Sequence, residues 1–286
     1  MSERVFIVGA GQVGKGLFRA FRAAGVDVLG LHSRRPTALA TSSGHLPATI
    51  AEANAVIVAV RDDQLDDALA EVVDTTTASG RRRVASGAVI VHTSGGAEPE
   101  LLSRLGDMQL SGGTFHPLIP FANPERAPEL LRKGWIGIDG DDPARATSRR
   151  LAGHLGARTL DIPAGMKPIY HAAAVIGSNF PVVLEAVASR LMTDVGIPER
   201  SAEQAVHSLI EAAISNTAGA RAEDVLTGPV VRGDADIVHR HLQALRHDPD
   251  ARALYRRLSF AALEIAARRG VDPDKLAEIQ RLLLLR

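Results

Sequence analysis

Arg4-Val5-Phe6-Ile7-Val8-Gly9-Ala10-Gly11-Gln12-Val13-Gly14 opens the chain as an apolar strand running straight into Gly-x-Gly-x-x-Gly. Helix-period sequence follows from Lys15 to Ala24. Strand, tight turn and helix in that order leave free backbone N–H groups at the helix start, where a pyrophosphate can bind. Gly9 suits the turn, Gly11 lets the backbone approach the phosphates, and Gly14 lets the helix pack on the strand. Ala10, Gln12 and Val13 complete the loop, so Gly9 to Gly14 are the first candidate cofactor residues. A plain strand–helix turn that binds nothing is the competing reading, and the flanking strand and helix argue against it.

The next apolar run, Val26-Asp27-Val28-Leu29-Gly30-Leu31, reads as a second strand and ends in His32-Ser33-Arg34-Arg35. An NAD-preferring fold usually places Asp or Glu there for the ribose 2′-hydroxyl, whereas a 2′-phosphate calls for cations. Ser33, Arg34 and Arg35 supply a hydroxyl and two planar guanidinium forks, each able to hold two phosphate oxygens. NADP (NADPH) is therefore expected over NAD, against the alternative of an ordinary basic surface loop.

Outward from these strands, 286 residues suffice for one large domain or two modest ones. Basic and acidic residues balance at 33 each, so no global charge points to nucleic acid or to a membrane surface. Aromatics make up only 3%, too few to build a platform for stacked bases. With no cysteine there is no thiolate nucleophile and no Cys-ligated metal. Arg4 and the first strand come at once, so no signal peptide is expected. No apolar run approaches the length of a membrane span, and the expectation is a soluble cytoplasmic protein with no nucleic-acid or membrane partner.

The first half alternates short apolar runs with helix-like segments, the pattern of a doubly wound, mainly parallel α/β sheet of the Rossmann kind. A short element is expected near His45 to Ala48, and strands at Ala55 to Val60, Ala88 to His92, Thr114 to Pro117, Trp135 to Asp139 and Arg158 to Ile162. Asp62 or Asp63 is the expected N-cap of a helix through Ala70, and Thr75 to Arg83 reads as a polar loop. From Lys167 on, Ala, Leu, Glu and Arg recur at helical spacing. Helices are expected near 168–194, 201–217, 233–245, 248–268 and 273–284, with Pro168 in a first turn. The chain thus reads as a nucleotide domain, 1–163, followed by an all-helical domain, 164–286, for substrate binding and dimerisation.

Ligands of open α/β sheets bind beyond the carboxyl ends of the strands. Arg61-Asp62-Asp63 fall there, as do His92-Thr93-Ser94-Gly95 and His116-Pro117-Leu118. The Thr93 to Gly95 loop lies where a nicotinamide would reach and could hold its carboxamide; Ser94 as a helix N-cap is the equal alternative. Val60, Arg61, Thr93, Ser94 and Gly95 join the cofactor candidates, and Pro117 the substrate candidates. Lys167, His171 and Ser178 sit at about 0°, 40° and 20° around a helix, on one face, with Asn179 near 120° at its edge. The segment between them is apolar, so the face is expected to pack inside and to need partners or a ligand. Lys167, His171 or His116 could give a proton to a carbonyl or imine during hydride delivery, with Ser94 and Ser178 orienting the substrate and Asn179 beside them; an interhelical hydrogen-bond network is the alternative. In Thr227-Gly228-Pro229-Val230-Val231-Arg232-Gly233-Asp234, Arg232 could clamp a carboxylate and Asp234 could cap the next helix. His239 and His241 would not share a helix face, and no metal site is expected.

Several of these stretches resemble one family. Gly9 to Gly14, His92-Thr93-Ser94-Gly95 and Gly113-Thr114-Phe115-His116-Pro117-Leu118 are similar to bacterial Rossmann-like proteins with a C-terminal domain of unknown function 2520. Tyr170-His171-Ala172-Ala173-Ala174 with Ser178-Asn179, and Thr227 to Asp234, resemble the signatures of that C-terminal domain. The resemblance implies an NADP-dependent oxidoreductase, more distantly similar to ketopantoate reductase, pyrroline-5-carboxylate reductase and 3-hydroxyisobutyrate dehydrogenase. It also implies a helical domain, like the C-terminal one of 6-phosphogluconate dehydrogenase, that completes the site and often a homodimer. The hydroxyacid dehydrogenase relatives place Asn four residues after the helix Lys; here His171 stands at that spacing from Lys167, so either can be the donor. The reading is a hydride transfer between NADPH and a small carbonyl or imine compound, possibly an acid. Its rival is a non-catalytic NADP-binding sensor on a reductase scaffold.

Overall fold

The computed structural model describes residues 3–74, 84–98, 102, 105 and 108–285. The expected polar loop at Thr75 to Arg83, and the segment directly after Glu98, lie outside the described residues. Two compact units result, Met1–Asn179 and Phe180–Arg286.

The first unit is built on an eight-stranded sheet: β1 (Arg4–Val8), β2 (Asp27–Ser33), β3 (Ser42–Ser43), β4 (Ala55–Val58), β5 (Val89–His92), β6 (Ser111–Pro117), β7 (Trp135–Gly140) and β8 (Arg158–Asp161). Their order is β3-β2-β1-β4-β5-β6-β7-β8. All neighbours are parallel except β6 and β7. The chain winds from β1 to β2 on one side and returns to β4 on the other, so the switch point lies beyond the ends of β1 and β4.

Near-continuous apolar runs are what a strand covered on both faces requires. Alternate side chains feed two cores. Val5, Ile7, Ile57 and Val91 meet Leu17, Phe18 and Phe21 of α1 (Gln12–Ala23), Leu131 of α3 (Ala127–Lys133) and Leu151 of α4 (Asp142–His154). Phe6, Val8, Val56, Val58 and Ile90 meet Ile50 and, on α2 (Leu65–Val73), Leu65, Leu69 and Val72. Each such side chain fully removed from water contributes about 1.5–3 kcal/mol.

Local expectations fail at three places. Asp62 and Asp63 do not cap: they lie within a 3₁₀ turn, Asp62–Gln64, ahead of α2, and Asp63 pairs with Arg61 at 2.9 Å. The short element near His45 divides into β3 before it and a 3₁₀ turn, Ala48–Glu52, after it. Strand β6 also starts earlier than expected, because Gly112 and Gly113 are needed where Leu105 and the Asp139 backbone press against it.

Helix α5 (Lys167–Asp194) starts in the first unit, and the division falls within it. It does not pack inside as its apolar sequence predicts. Ile169 is 71% exposed and Ile176 60%. Among the described residues it is also the one helix long and apolar enough to cross a membrane, which corrects the expectation that no run approaches that length. The second unit continues with α6 (Glu199–Ser215), α7 (Ala222–Val225), α8 (Pro229–Arg232), α9 (Ala235–Ala244), α10 (Pro249–Arg268) and α11 (Pro273–Leu284). Val230, Val231, Val238, Leu242, Ala266, Ile279 and Leu283 form its core. Pro opens α8, α10 and α11, where a missing N–H is harmless. Asp234, Asp248 and Asp272 cap α9, α10 and α11 through Ile237, Ala251 and Asp274 N–H groups. The expected cap at Asp234 is thus present.

Candidate functional site

The glycine turn forms as the sequence dictates. Gly9 has φ 108°, a left-handed value open to glycine, and its N–H donates to the His32 carbonyl at 2.9 Å. A Cβ on Gly14 would collide with the Gly9 carbonyl oxygen, so helix α1 lies as close to the turn as backbone allows. Gly11, at the N-cap of α1, is different: a Cβ there would meet nothing within 4 Å. The space it would fill belongs to a cavity of ≈ 770 Å³. Gly9 to Val13, Ser33, Arg34, Arg35, Val60 and Arg61 all line it. A helix N-terminus, a turn kept free of side chains and two exposed guanidinium groups fit the phosphates of NADP. Arg61 is partly committed, through its pair with Asp63. Glu71 and a buried His32 lie in the same cavity. His32 Nδ1 meets the Ser42 hydroxyl at 3.0 Å, and burial holds the ring below its usual pKa.

Farther along the same edge, beyond β5 and β6, lies a second cluster. Residues paired across antiparallel strands project to one face, and β6 sets Thr114 against Asp139 and His116 against Gly137. His92, opposite Thr114 on β5, bonds the Thr114 hydroxyl at 3.2 Å. Phe115 and Ile138, one residue along, turn into the core instead. One face of β5–β6–β7 is therefore polar, and the first turns of α5 cover it. Lys167, 3% exposed, places Nζ 3.3 Å from Asp139 Oδ2 and donates to the Ala97 carbonyl at 3.2 Å. Tyr170 Oη lies 2.7 Å from His116 Nδ1. The His116 and His171 rings stand edge to face, centroids 5.7 Å apart.

Gly95 sits beneath that pair. A Cβ on it would stand 2.6 Å from His171 Nδ1 and 2.8 Å from His116 Nε2, so two imidazole nitrogens converge over its backbone. His171 Nδ1 is buried and has no protein partner. Burial foremost, then His171, pushes His116 down to about 4, against a raising pull from Asp62; Lys167 lowers it further. His92 falls to about 3 through burial, Lys167 and His116. Both rings are neutral at ordinary pH.

The other candidates are placed elsewhere or are already engaged. Ser94 Oγ accepts from the N–H groups of Gly96 at 3.3 Å and Ala97 at 2.9 Å, and no helix starts there among the described residues. Thr93 is buried and Pro117 ends β6. Ser178 Oγ, on the exposed side of α5, lies 2.8 Å from the Ala174 carbonyl oxygen and 2.9 Å from Asn179 Oδ1, which share its one hydrogen. The shared face of Lys167, His171 and Ser178 is thus buried at its start only. Arg232 is exposed at the end of α8 in the second unit, between Gly228 (φ 110°) and Gly233 (φ 67°). Tyr170, Asp139 and Thr114 were missed as site residues, and His92 was read as part of the strand-end cluster without a role. The alternation Thr114-x-His116 beside Gly137-x-Asp139 was the available signal, since it places polar side chains on one face of paired strands.

A dinucleotide-type turn, a cavity of ≈ 770 Å³ at the switch point and a polar strand-end cluster define a Rossmann-type α/β unit, followed by a helical one. Residues 135–262 match the family model described as Domain of unknown function (DUF2520). Among solved structures, the chain is similar to a provisionally named NADP oxidoreductase from Bacteroides fragilis, at 23% identity and TM-score 0.70, over 91% of this chain and 97% of that one. It is similar to a Thermotoga maritima protein at 24% identity and TM-score 0.68, over 93% and 99%. A Plasmodium falciparum pyrroline carboxylate reductase with NADP bound aligns at 12% identity and TM-score 0.61, over 97% and 98%. At these identities the likeness is one of fold. No curated protein matches the chain.

Proposed function

We propose that the protein is an NADP-dependent oxidoreductase that transfers hydride between NADPH and a small carbonyl or imine compound. The observation that carries this reading is the convergence of His116 Nε2 and His171 Nδ1 over Gly95, on the same sheet edge as the Gly9–Gly14 turn. A turn alone would serve a sensor; paired, desolvated imidazoles next to it serve proton transfer. The NADP bound by the Plasmodium reductase of the same fold is consistent with it.

Gly9 to Gly14 and the N-terminus of α1 would hold the pyrophosphate, and Arg34 and Arg35 the 2′-phosphate. Bound NADPH supplies the hydride. Reduction of a carbonyl or imine carbon also requires one proton at its oxygen or nitrogen. We assign the relay of that proton, drawn from water, to the His116–His171 pair, which holds a hydrogen-bond donor at a site Gly95 keeps open, so that neither ring is left deprotonated. Lys167 serves less well, because its ammonium is bound by Asp139 and the Ala97 carbonyl. The neutral His116 ring suits an uncharged electrophile, whose developing negative charge a donated hydrogen bond stabilises.

The same reading includes a cytoplasmic homodimer joined through the helical half. In the second unit Phe180, Val182, Val183, Leu209 and Ile214 are all about half or more exposed, an apolar surface that a second copy would remove from water. Lys167, bound to Asp139 at the start of α5, argues against membrane insertion of that helix.

Titration with NADPH and NADH, followed by NADPH oxidation with a panel of 2-keto acids and cyclic imines, tests the proposal. Tight NADPH binding with turnover of one class supports it. Failure to bind NADPH would overturn it. Binding without turnover, and unchanged by His116→Ala or His171→Ala, would favour a sensor.

A further inference from the structure

We propose that Tyr170 is a positioning residue: it fixes His116 in the Nε2–H tautomer, so that the ring offers a donor to the space over Gly95. The use of that donor rests on the reductase reading, but the hydrogen-bond geometry does not depend on it.

Tyr170 lies in the first turn of α5, with Oη 2.7 Å from His116 Nδ1 and the two rings edge to face at 80°. Such a bond can be made in two ways. If Nδ1 carried the hydrogen, the phenol oxygen would accept it, and the phenol hydrogen would need a second acceptor. His116 is the only hydrogen-bond partner of Tyr170 Oη among the described residues. If the phenol donates, Nδ1 accepts and the ring hydrogen must sit on Nε2. That nitrogen faces the space over Gly95, where His171 Nδ1 stands buried without a partner. In this second arrangement each polar hydrogen of the pair has a direction in which it is useful.

The surroundings keep both groups in the required state. Burial pushes the Tyr170 phenol up to about 12, so it retains its hydrogen. His116 is held neutral by burial and by His171 and Lys167, although Asp62 pulls the other way. The floor under the phenol is Gly137, paired with His116 across β6 and β7; a Cβ there would collide with Tyr170 Oη. Glycine at 137 thus admits a tyrosine oxygen where any other residue would displace it. A second-layer partner that decides which imidazole nitrogen bears the hydrogen is a recurrent requirement of histidine acid–base sites.

Nitrogen NMR of the full-length chain labelled with ¹⁵N-histidine reads the tautomer directly, the His116 signals being assigned by their loss in His116→Gln. At neutral pH the wild type should show an unprotonated Nδ1 and a protonated Nε2 at His116. Tyr170→Phe keeps the ring and removes the hydroxyl, and should release His116 into a mixture of tautomers. Gly137→Ala, which leaves the phenol in the chain but displaces it, should do the same and serves where Tyr170→Phe does not fold. A wild-type His116 protonated on Nδ1, or a tautomer unchanged by both substitutions, overturns the proposal. The spectra need neither NADPH nor substrate, so failure of the reductase reading would appear separately, as absent binding or turnover. With a substrate in hand, Tyr170→Phe should lower kcat on the order of tenfold with KM little changed.

Discussion

Lys167 Nζ stands 3.3 Å from Asp139 Oδ2, joining the first residue of α5 to the far end of β7. The amine is 3% exposed and also donates to the Ala97 carbonyl, so it ties three separate segments together. Removing one partner of a buried pair leaves the other charge uncompensated, at a cost of about 3–5 kcal/mol; the partial exposure of Asp139 puts this case at the lower end. Lys167→Ala should therefore lower the urea midpoint clearly, while NADPH affinity at low temperature stays within about twofold. A variant as stable as wild type but catalytically dead would restore Lys167 as the proton donor.

Gly11 and Gly14 separate ligand from fold. A Cβ on Gly14 collides with the Gly9 carbonyl oxygen, so Gly14→Ala must move α1 off the strand and should destabilise by about 2 kcal/mol or more, besides weakening NADPH binding. Gly11→Ala meets no protein atom within 4 Å, so the thermal midpoint should hardly change. Its methyl would nevertheless occupy the approach to the pyrophosphate, and NADPH affinity should fall at least tenfold in a fluorescence titration. Equal effects of the two substitutions on stability would contradict this division.

How much of this was legible in the sequence follows from the range of the interactions. The glycine turn, the strand ends and the five long helices are written in local spacing, and Gly228, Gly233 and Asp234 behave as local backbone chemistry requires. The pairing of β6 with β7 is non-local, so the alternation that carries Asp139 could not be matched to Thr114 and His116, or to Lys167 and Tyr170, until the register placed them on one face. Helix α5 misled for another reason. Apolar sequence reports that a face tends to be covered, but not by what; Ile169 and Ile176 are bare in the single chain.

Arg34 and Arg35 line the cavity and are exposed, so their contribution to the fold is small and their contribution to a 2′-phosphate large. Arg34→Ala with Arg35→Ala should weaken NADPH about 10- to 100-fold, the loss of one or two charge-assisted hydrogen bonds, and leave NADH affinity unchanged. Calorimetric titration of both nucleotides checks it. Parallel losses for NADPH and NADH would show that the two guanidinium groups do not discriminate the 2′-phosphate.

His92 and His116 give stability a pH dependence whose sign is fixed. Their folded values, about 3 and about 4, lie below the ordinary 6.5 because burial disfavours the charged ring. Above pH 6.5 both rings are neutral folded or unfolded, and stability does not change on their account. Below it the unfolded chain takes up protons that the folded chain refuses, so stability falls as pH drops from 6.5 towards the folded values. His32, also lowered by burial, adds in the same direction. The carboxylate of Glu223, held at about 2 by Arg268, loses its contribution only below its ordinary 4.5. The window from pH 6.5 to 5 therefore isolates the histidines, each able to remove up to about 2 kcal/mol there. Urea midpoints at pH 7 and pH 5 should differ clearly in the wild type. The difference should shrink in His116→Gln and in His92→Asn, whatever those substitutions do to stability at pH 7. An undiminished difference in both variants would mean that neither ring is held neutral by the fold.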